Sequence, residues 1–288
     1  MDCIGIAAGD YRLELAPYRG GSIAGLSWHG LDILRPAAGE GVLDSSCFPL
    51  VPFSNRITGS RFAFAGREIR LEPNHPAAVG EPVLHGFGWL AAWSVAELSQ
   101  DRAVLVHENA GGAWPWPYRA SAGFVLDKEG LLTSLDLENL SADPMPAGLG
   151  FHPYFPRTGQ TIYRGLHRGE WEVGPDCLPR DLRQRQEAAD WWDGRPVASR
   201  EVDTVYTGRQ GPLEIEWPER ALRAVIDPSE DLGFTTVYVP AGEGFFCVEP
   251  VSHATDVFNN PVPENGMRIL QAGERWRVSM RIRAEATA

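Results

Sequence analysis

Apolar and polar residues alternate with a period of two along most of this 288-residue chain, the spacing of strands with one buried face rather than of helices. Tyr11-Arg12-Leu13-Glu14-Leu15 opens the series. Residues 23–28, a turn at His29-Gly30 and residues 31–34 read as a hairpin. A second hairpin runs from Arg61-Phe62-Ala63-Phe64 through Ala65-Gly66-Arg67 into Glu68-Ile69-Arg70-Leu71. The same reading predicts strands over 93–98, 103–107, 118–126, 131–140, 213–217, 222–226, 234–239, 245–248 and 276–282. In the last, Trp276, Val278, Met280 and Ile282 alternate with Arg277, Ser279, Arg281 and Arg283, as in a strand with one face in solvent.

Two stretches depart from the alternation. Asp181-Leu182-Arg183-Gln184 resembles a capping box, and the helix formers after it predict either one short helix over 185–192 or a solvated excursion. In Cys47-Phe48-Pro49-Leu50-Val51-Pro52-Phe53-Ser54-Asn55-Arg56-Ile57 two prolines interrupt sheet pairing and leave Asn55 and Arg56 beside apolar neighbours, a segment for a rim or pocket wall. The chain has no fixed-period repeat, low-complexity tract or long linker. The predicted architecture is all-β, a large antiparallel β-sandwich with residues 1–288 in a single domain.

Composition narrows this picture at a few points. The 31 glycines, 23 prolines and 10 tryptophans suit many turns and aromatic-rich strands, and 43% hydrophobic with 22% charged residues suits a substantial core. A net charge of −12 disfavours nucleic acid and anionic membrane as partners and leaves a neutral small molecule. Cys3, Cys47, Cys177 and Cys247 form no C-x-x-C pair, so reduced, buried thiols are expected rather than a zinc ribbon or redox motif. The first ten residues lack a basic segment followed by a long apolar one, and no run approaches about 20 apolar residues, so a cytoplasmic location is expected.

Candidate chemistry centres on Gly148-Leu149-Gly150-Phe151-His152-Pro153-Tyr154-Phe155, where glycines and a proline hold a histidine among aromatics. Leu84-His85-Gly86-Phe87-Gly88-Trp89 offers a second histidine. Val248-Glu249-Pro250, after the apolar run Phe245-Phe246-Cys247, offers a carboxylate whose pKa burial would raise. Taken alone, each signal is weak, and a single histidine in an aromatic setting is more often a core or rim residue than a catalyst. His29, His75, His107 and His167 carry no further signal and are taken as structural. His253 pairs with Asp256 as a conceivable ligand set, but without a second nearby histidine it reads as a surface loop. No G-x-S-x-G elbow or phosphate-binding glycine loop is present. Arg56 reads as a ligand anchor or a capped rim residue, and Asp203 as a hydroxyl acceptor or turn chemistry.

In combination these segments resemble the aldose 1-epimerase (mutarotase) family. Asn55-Arg56-Ile57, Leu84-His85-Gly86, His152-Pro153-Tyr154-Phe155 and Val248-Glu249-Pro250 leading to Asn259-Asn260-Pro261 occur in the family's order across nearly the whole chain. Several members carry asparagine and serine where this chain has Phe151 and Pro153, which leaves the substrate's identity open. The resemblance implies one large antiparallel sandwich without metal or nucleotide cofactor, and a sugar as the partner. It further implies a reaction that interconverts the α and β anomers of a free aldose. Glu249 would act as general base and His152 as general acid, facing each other across the width of a pyranose. Arg56, His85, Asn55 and Asp203 would hold the sugar's oxygens, and Phe87, Trp89 or Tyr154 would offer an apolar face to its C–H groups.

The chemistry itself needs one group to take the proton of the anomeric hydroxyl while another protonates the ring oxygen. Three other readings stand beside it: a non-catalytic carbohydrate-binding sandwich, a glycoside hydrolase using Glu249 with Asp203, and an epimerase of a hexose 6-phosphate, which needs a basic cluster at the pocket mouth.

Overall fold

The computed structural model describes residues 3–76, 80–184, 189–260 and 263–287. Strands dominate it, and the described helical segments are three-residue 3-10 turns. Two large sheets carry the architecture. A nine-stranded sheet runs in the order Arg195–Pro196, Ile162–Gly165, Leu213–Trp217, Leu222–Pro228, Arg275–Ala286, Gly130–Asn139, Tyr118–Asp127, Arg102–Asn109 and Ser94–Leu98. An eight-stranded sheet runs through Pro179–Gln184, Gly169–Val173, Val202–Thr207, Phe234–Val239, Phe245–Val251, Gly150–Phe151 and Pro49–Leu50, with Tyr154–Pro156 also paired to Phe245–Val251. Pairing between the named strands is antiparallel throughout both sheets.

The period-two pattern explains the layering. On the nine-stranded sheet Leu135, Leu137, Val278, Met280 and Ile226 point to the interior, where they meet Val237, Val239, Phe246 and Val248 from the eight-stranded sheet in one buried cluster. Alternate residues of the first sheet face outward and pair across strands, Arg277 with Asp136 and Arg281 with Asp127. Such exposed pairs add little stability and chiefly keep that face solvated. Four N-terminal strands, beginning Ile4–Ala8 and Tyr11–Ala16, add Leu13, Leu15, Ile23 and Leu26 to the same core.

The eight-stranded sheet is buried on its other face as well, which is what positions the site. Leu50, Tyr154, Val205, Cys247 and Val251 join Phe48, Leu84 and Trp89 in a second apolar cluster there. Register places Val205, Thr236 and Glu249 in one row across three strands, and Asp203, Tyr238, Cys247 and Tyr154 in the next. Residues two apart on a strand share a face, so both rows project to the same side, away from the core between the sheets.

The structure corrects several expectations. Asp181 to Arg183 lie in the strand Pro179–Gln184 and not at a helix cap. Residues 185–188 of the expected helix fall outside the described residues, and 190–193 form turns. Pro261 of the Asn-Asn-Pro segment likewise lies outside them. Pro49 does enter the sheet, paired with Phe151, because Pro49–Leu50 is the edge strand, where a missing N–H costs no ladder bond. Cys47 and Cys247 are buried, but Cys177 is half-buried and Cys3 exposed. The strands Ile162–Gly165, Gly169–Val173 and Val202–Thr207 carry no clean alternation and were not predicted. No described helix is long and apolar enough to cross a membrane.

Candidate active site

His152 sits in the two-residue break between the short strands Gly150–Phe151 and Tyr154–Pro156. Its backbone N–H donates to the Phe48 carbonyl at 3.0 Å and that of Tyr154 to the Ser46 carbonyl at 2.9 Å, so the segment is zipped to 46–50 on both sides of the histidine. The imidazole stacks against Phe48 (4.5 Å between centroids) and Tyr154 (4.6 Å), which fixes its plane. Its Nε2 lies 3.2 Å from Oε1 of Glu249. The two groups are therefore in direct contact and do not face each other across a pyranose, as had been expected. Adjacency suits the chemistry better, because the ring oxygen and the anomeric hydroxyl are bonded to the same carbon.

Both members of the pair are buried, and burial opposes charge on each. It lowers the His152 pKa to about 3 and raises that of Glu249 well above the usual carboxylate range, with Asp203 adding to the rise and Arg56 opposing it. Desolvation thus works against an ion pair of glutamate and imidazolium and favours a proton shared by the two on the carboxyl. Glu249 Oε2 and Thr236 Oγ1, neighbours in register, are buried without a hydrogen-bond partner among the described residues. His152 Nδ1 faces only the residue's own carbonyl. Such deficits cost free energy unless a ligand fills them.

His85 meets the pair from a separate loop. Its ring stands perpendicular to that of His152 at 5.1 Å. The Asn55 N–H donates to its Nδ1 at 3.1 Å, while its own N–H donates to the Asn55 carbonyl at 3.0 Å. Accepting at Nδ1 puts the ring proton on Nε2, and burial next to His152 and Arg56 holds the pKa well below the ordinary value. His85 is a neutral donor. Both residues adopt left-handed backbone, φ 59° at Asn55 and 58° at His85, a conformation worth noting in non-glycine residues because it persists only where the surroundings enforce it. Gly86 follows at φ 70°, where a Cβ would sit 2.3 Å from the Val51 carbonyl oxygen.

Arg56 projects from the same loop. Its guanidinium lies 3.7 Å from the Asp203 carboxylate. Burial raises the Asp203 pKa, while Arg56 and a hydrogen bond from the Cys177 thiol lower it. These groups line a cavity of about 520 Å³ together with Asn55, His75, Tyr154, Thr236, Tyr238 and Phe245. That volume lies within the roughly 300–1,000 Å³ usual for small-molecule sites.

The structure brings all six predicted site residues, Glu249, His152, Arg56, His85, Asp203 and Asn55, to this one cavity. It does not bring Trp89 or Phe87. Trp89 is fully buried and donates from Nε1 to the carbonyls of Leu84 and Gly86 at 3.1 Å each, bracing the His85 turn. Phe87 packs against Phe53. The apolar wall is the expected Tyr154, joined by Tyr238 and Phe245. Thr236 and Tyr238 were legible in principle, since they alternate within the predicted strand 234–239 beside that of Glu249. Cys177 and His75 lie in loops and had no signal.

His253 is also corrected: it is buried, not on a surface loop. The Ser54 N–H donates to its Nε2 at 3.0 Å, and its Nδ1 lies 2.7 Å from the Ala254 carbonyl. A Cβ on Gly148 would fall 2.0 Å from its ring, so the glycine is needed for the histidine to fit. Asp256 accepts from the Thr58 N–H at 2.9 Å and hydroxyl at 2.6 Å. The two residues therefore bracket the Asn55–Arg56 loop. A wider depression of about 800 Å³ lies beyond Asp203. Its arginines are already paired, Arg200 with Glu170 and Asp190 and Arg183 with Glu172.

Known proteins share this sequence pattern and fold. The family model for aldose 1-epimerase matches residues 3–283. An uncharacterised Escherichia coli K12 protein, YphB, is 35% identical over 297 aligned residues, covering 97% of this chain and 98% of its own. The crystal structure of a putative aldose 1-epimerase from E. coli K12 superposes with a TM-score of 0.90 at 32% identity, with 99% of each chain covered. That of a galactose mutarotase-like protein from Clostridium acetobutylicum gives 0.87 at 21% identity, covering 99% of this chain and 95% of its own. With a cavity that gathers a buried histidine–carboxylate pair on a β-sandwich scaffold, and with this match along its length, the chain belongs to the aldose 1-epimerase family.

Proposed function

We propose that the protein interconverts the α and β anomers of a free, unphosphorylated aldose by opening and reclosing the hemiacetal ring. The observation that carries this reading is the 3.2 Å contact between His152 Nε2 and Glu249 Oε1 on the wall of a polar cavity. One proton shared by two groups is what the reaction requires. The ring opens when one group accepts from the anomeric hydroxyl while the other donates to the ring oxygen. Rotation about C1–C2 then presents the other face of the aldehyde, and the same two groups act in reverse.

The resting proton on Glu249 does not prevent Glu249 from serving as base. Sugar hydroxyls donating to the unpartnered Oε2 stabilise the carboxylate, which favours passing the proton across the 3.2 Å contact to His152. His85 Nε2–H is available as a neutral donor to a sugar oxygen. Arg56 and Asp203 offer a donor and an acceptor further round the cavity, and Tyr154, Tyr238 and Phe245 an apolar face.

Charge favours an unphosphorylated substrate. Arg56 is the only arginine or lysine lining the described cavity, and it already faces Asp203. A phosphate would thus meet one partly neutralised cation and two acidic residues. The test is the optical rotation of freshly dissolved aldoses, with a hexose 6-phosphate in the panel. Wild-type protein is expected to speed equilibration of a neutral aldose. A protein that binds sugars without changing that rate is a binding module, and one that prefers the phosphorylated sugar overturns the charge argument.

A further inference from the structure

We infer that His152, Cys247 and Glu249 form a latent binding site for a thiophilic divalent cation such as Zn²⁺, whose occupancy shuts down the cavity. Cys247 and Glu249 are two residues apart on one strand, so thiol and carboxylate project from the same face of the sheet. Tyr154, two residues after His152, pairs with Cys247 in register and so holds the histidine beside both. One ligand atom from each of the three lies within 4.8 Å of the others. Zinc bonds of about 2.0–2.3 Å in a tetrahedral set place ligand atoms roughly 3.3–3.8 Å apart. His152 and Glu249 are already at 3.2 Å, so rotation about the short cysteine side chain is the main adjustment needed.

A second observation points to a ligand here. Glu249 Oε2 is buried with no partner among the described residues, although the residue is only 2% exposed. A cation bound through that oxygen, or through both carboxylate oxygens, would satisfy it. Charge also closes: a thiolate, a carboxylate and a neutral imidazole together carry −2, which one dication cancels. Cys47 does not compete, since its thiol is turned to the His152 carbonyl. The cations behind and across the site are occupied, Arg35 by the Leu43 and Ser45 carbonyls and the Tyr154 ring, and Arg56 by Asp203. Chelation takes the imidazole lone pair and the carboxylate together, which removes acid and base in one event.

Metal binding is tested independently of any sugar. Full-length protein is stripped with EDTA, dialysed and titrated with Co²⁺. The expected result is one equivalent bound, with the near-ultraviolet thiolate-to-cobalt charge-transfer band and the visible bands of four-coordinate cobalt, both displaced by Zn²⁺. Cys247→Ser and Cys247→Ala are expected to lose the charge-transfer band and bind the metal more weakly, while Cys3→Ser and Cys177→Ser keep the band. No charge-transfer band in the wild type, or an unchanged band in both Cys247 variants, overturns the site.

The inhibitory role rests on the proposed anomerase activity and has its own arm. Zn²⁺ is expected to inhibit wild-type turnover reversibly with EDTA, and the Cys247 variants to keep turnover while losing zinc sensitivity. Equal zinc sensitivity in wild type and variants overturns the inhibitory role. A cobalt band in a protein without anomerase activity overturns the functional reading and leaves the metal site standing.

Discussion

His152 and His253 are buried to a similar depth, 6% and 2% exposed, and burial lowers the pKa of both, to about 3 and about 4. Neither burial nor pKa separates them. Their hydrogen bonds do. Both nitrogens of His253 are engaged by backbone, from Ser54 and to Ala254. His152 has Glu249 on one nitrogen, and Glu249 in turn has an oxygen with nothing to accept from. The saturated histidine holds a loop. The other belongs to a pair whose environment is complete only when something enters the cavity, and this is the feature that marks a working group.

The sharpest way to break that comparison is to remove the carboxylate. Glu249→Gln keeps shape and volume but can neither accept a proton in full nor return it. It is expected to lower the anomerisation rate by about 10²- to 10⁴-fold while leaving the melting temperature unchanged or higher, because a buried acid without full partners is itself destabilising. Polarimetry and a thermal melt on one sample check both halves. A rate within a few-fold of wild type sinks the acid/base assignment.

His253→Ala should show the opposite signature. It leaves the Ser54 N–H buried without an acceptor and opens a cavity against Gly148, at a cost of about 2–4 kcal/mol. At roughly 2–4 °C per kcal/mol, the melting temperature should fall by several degrees. A smaller loss of rate follows through the loop that carries Asn55 and Arg56. Should His253→Ala stop turnover completely with an unchanged melt, the division between the two histidines fails.

Acid tests the structural histidines together. His167 is buried like His253, with Nε2 2.9 Å from the Thr235 hydroxyl and a pKa lowered to about 3 by burial and by Arg209. For a histidine whose folded pKa lies below its unfolded value of about 6.5, the unfolded chain binds more protons between the two, so stability falls as pH drops below about 6.5. At pH 5 each such group costs about 2 kcal/mol relative to pH 7. Glu249 and Asp203, whose pKa values are raised, work in the opposite sense. The readout is therefore the difference between wild type and His167→Gln or His253→Gln in urea unfolding at pH 7 and pH 5. Each variant should lose less stability on acidification than the wild type, and an equal loss refutes the neutral buried assignment.

Much of this was legible in the sequence because alternation is a local signal. The strands Leu213–Trp217 and Phe234–Val239 emerge with the predicted limits, and Tyr118–Asp127 within one residue. Strands with irregular burial, such as Val202–Thr207, were missed because their register comes from neighbours far along the chain. The six site residues were identified through family resemblance. What the sequence could not supply was distance: that His152 and Glu249 touch, and that Trp89 turns inward to brace the His85 loop. Each of these depends on segments brought together from distant parts of the chain. The reading of His253 as a surface residue failed for the same reason, since its partner Ser54 lies 199 positions away.

The smallest effect concerns the far wall of the cavity. Asp203 is about a quarter exposed and its 3.7 Å pairing with Arg56 is long, so the ion pair itself adds little to stability. If Asp203 grips a sugar hydroxyl, Asp203→Asn keeps an acceptor oxygen but loses the charge, and about 1 kcal/mol of binding should go with it, a roughly fivefold rise in KM. Because the residue takes no part in the 3.2 Å His152–Glu249 contact, kcat should stay near the wild-type value, in contrast to Glu249→Gln. A fall in kcat with KM unchanged would instead tie Asp203 to the proton chemistry, through the charge it places near Glu249. Steady-state rates across a range of sugar concentrations separate the two, and so decide whether the cavity's far wall binds the substrate or tunes the pair.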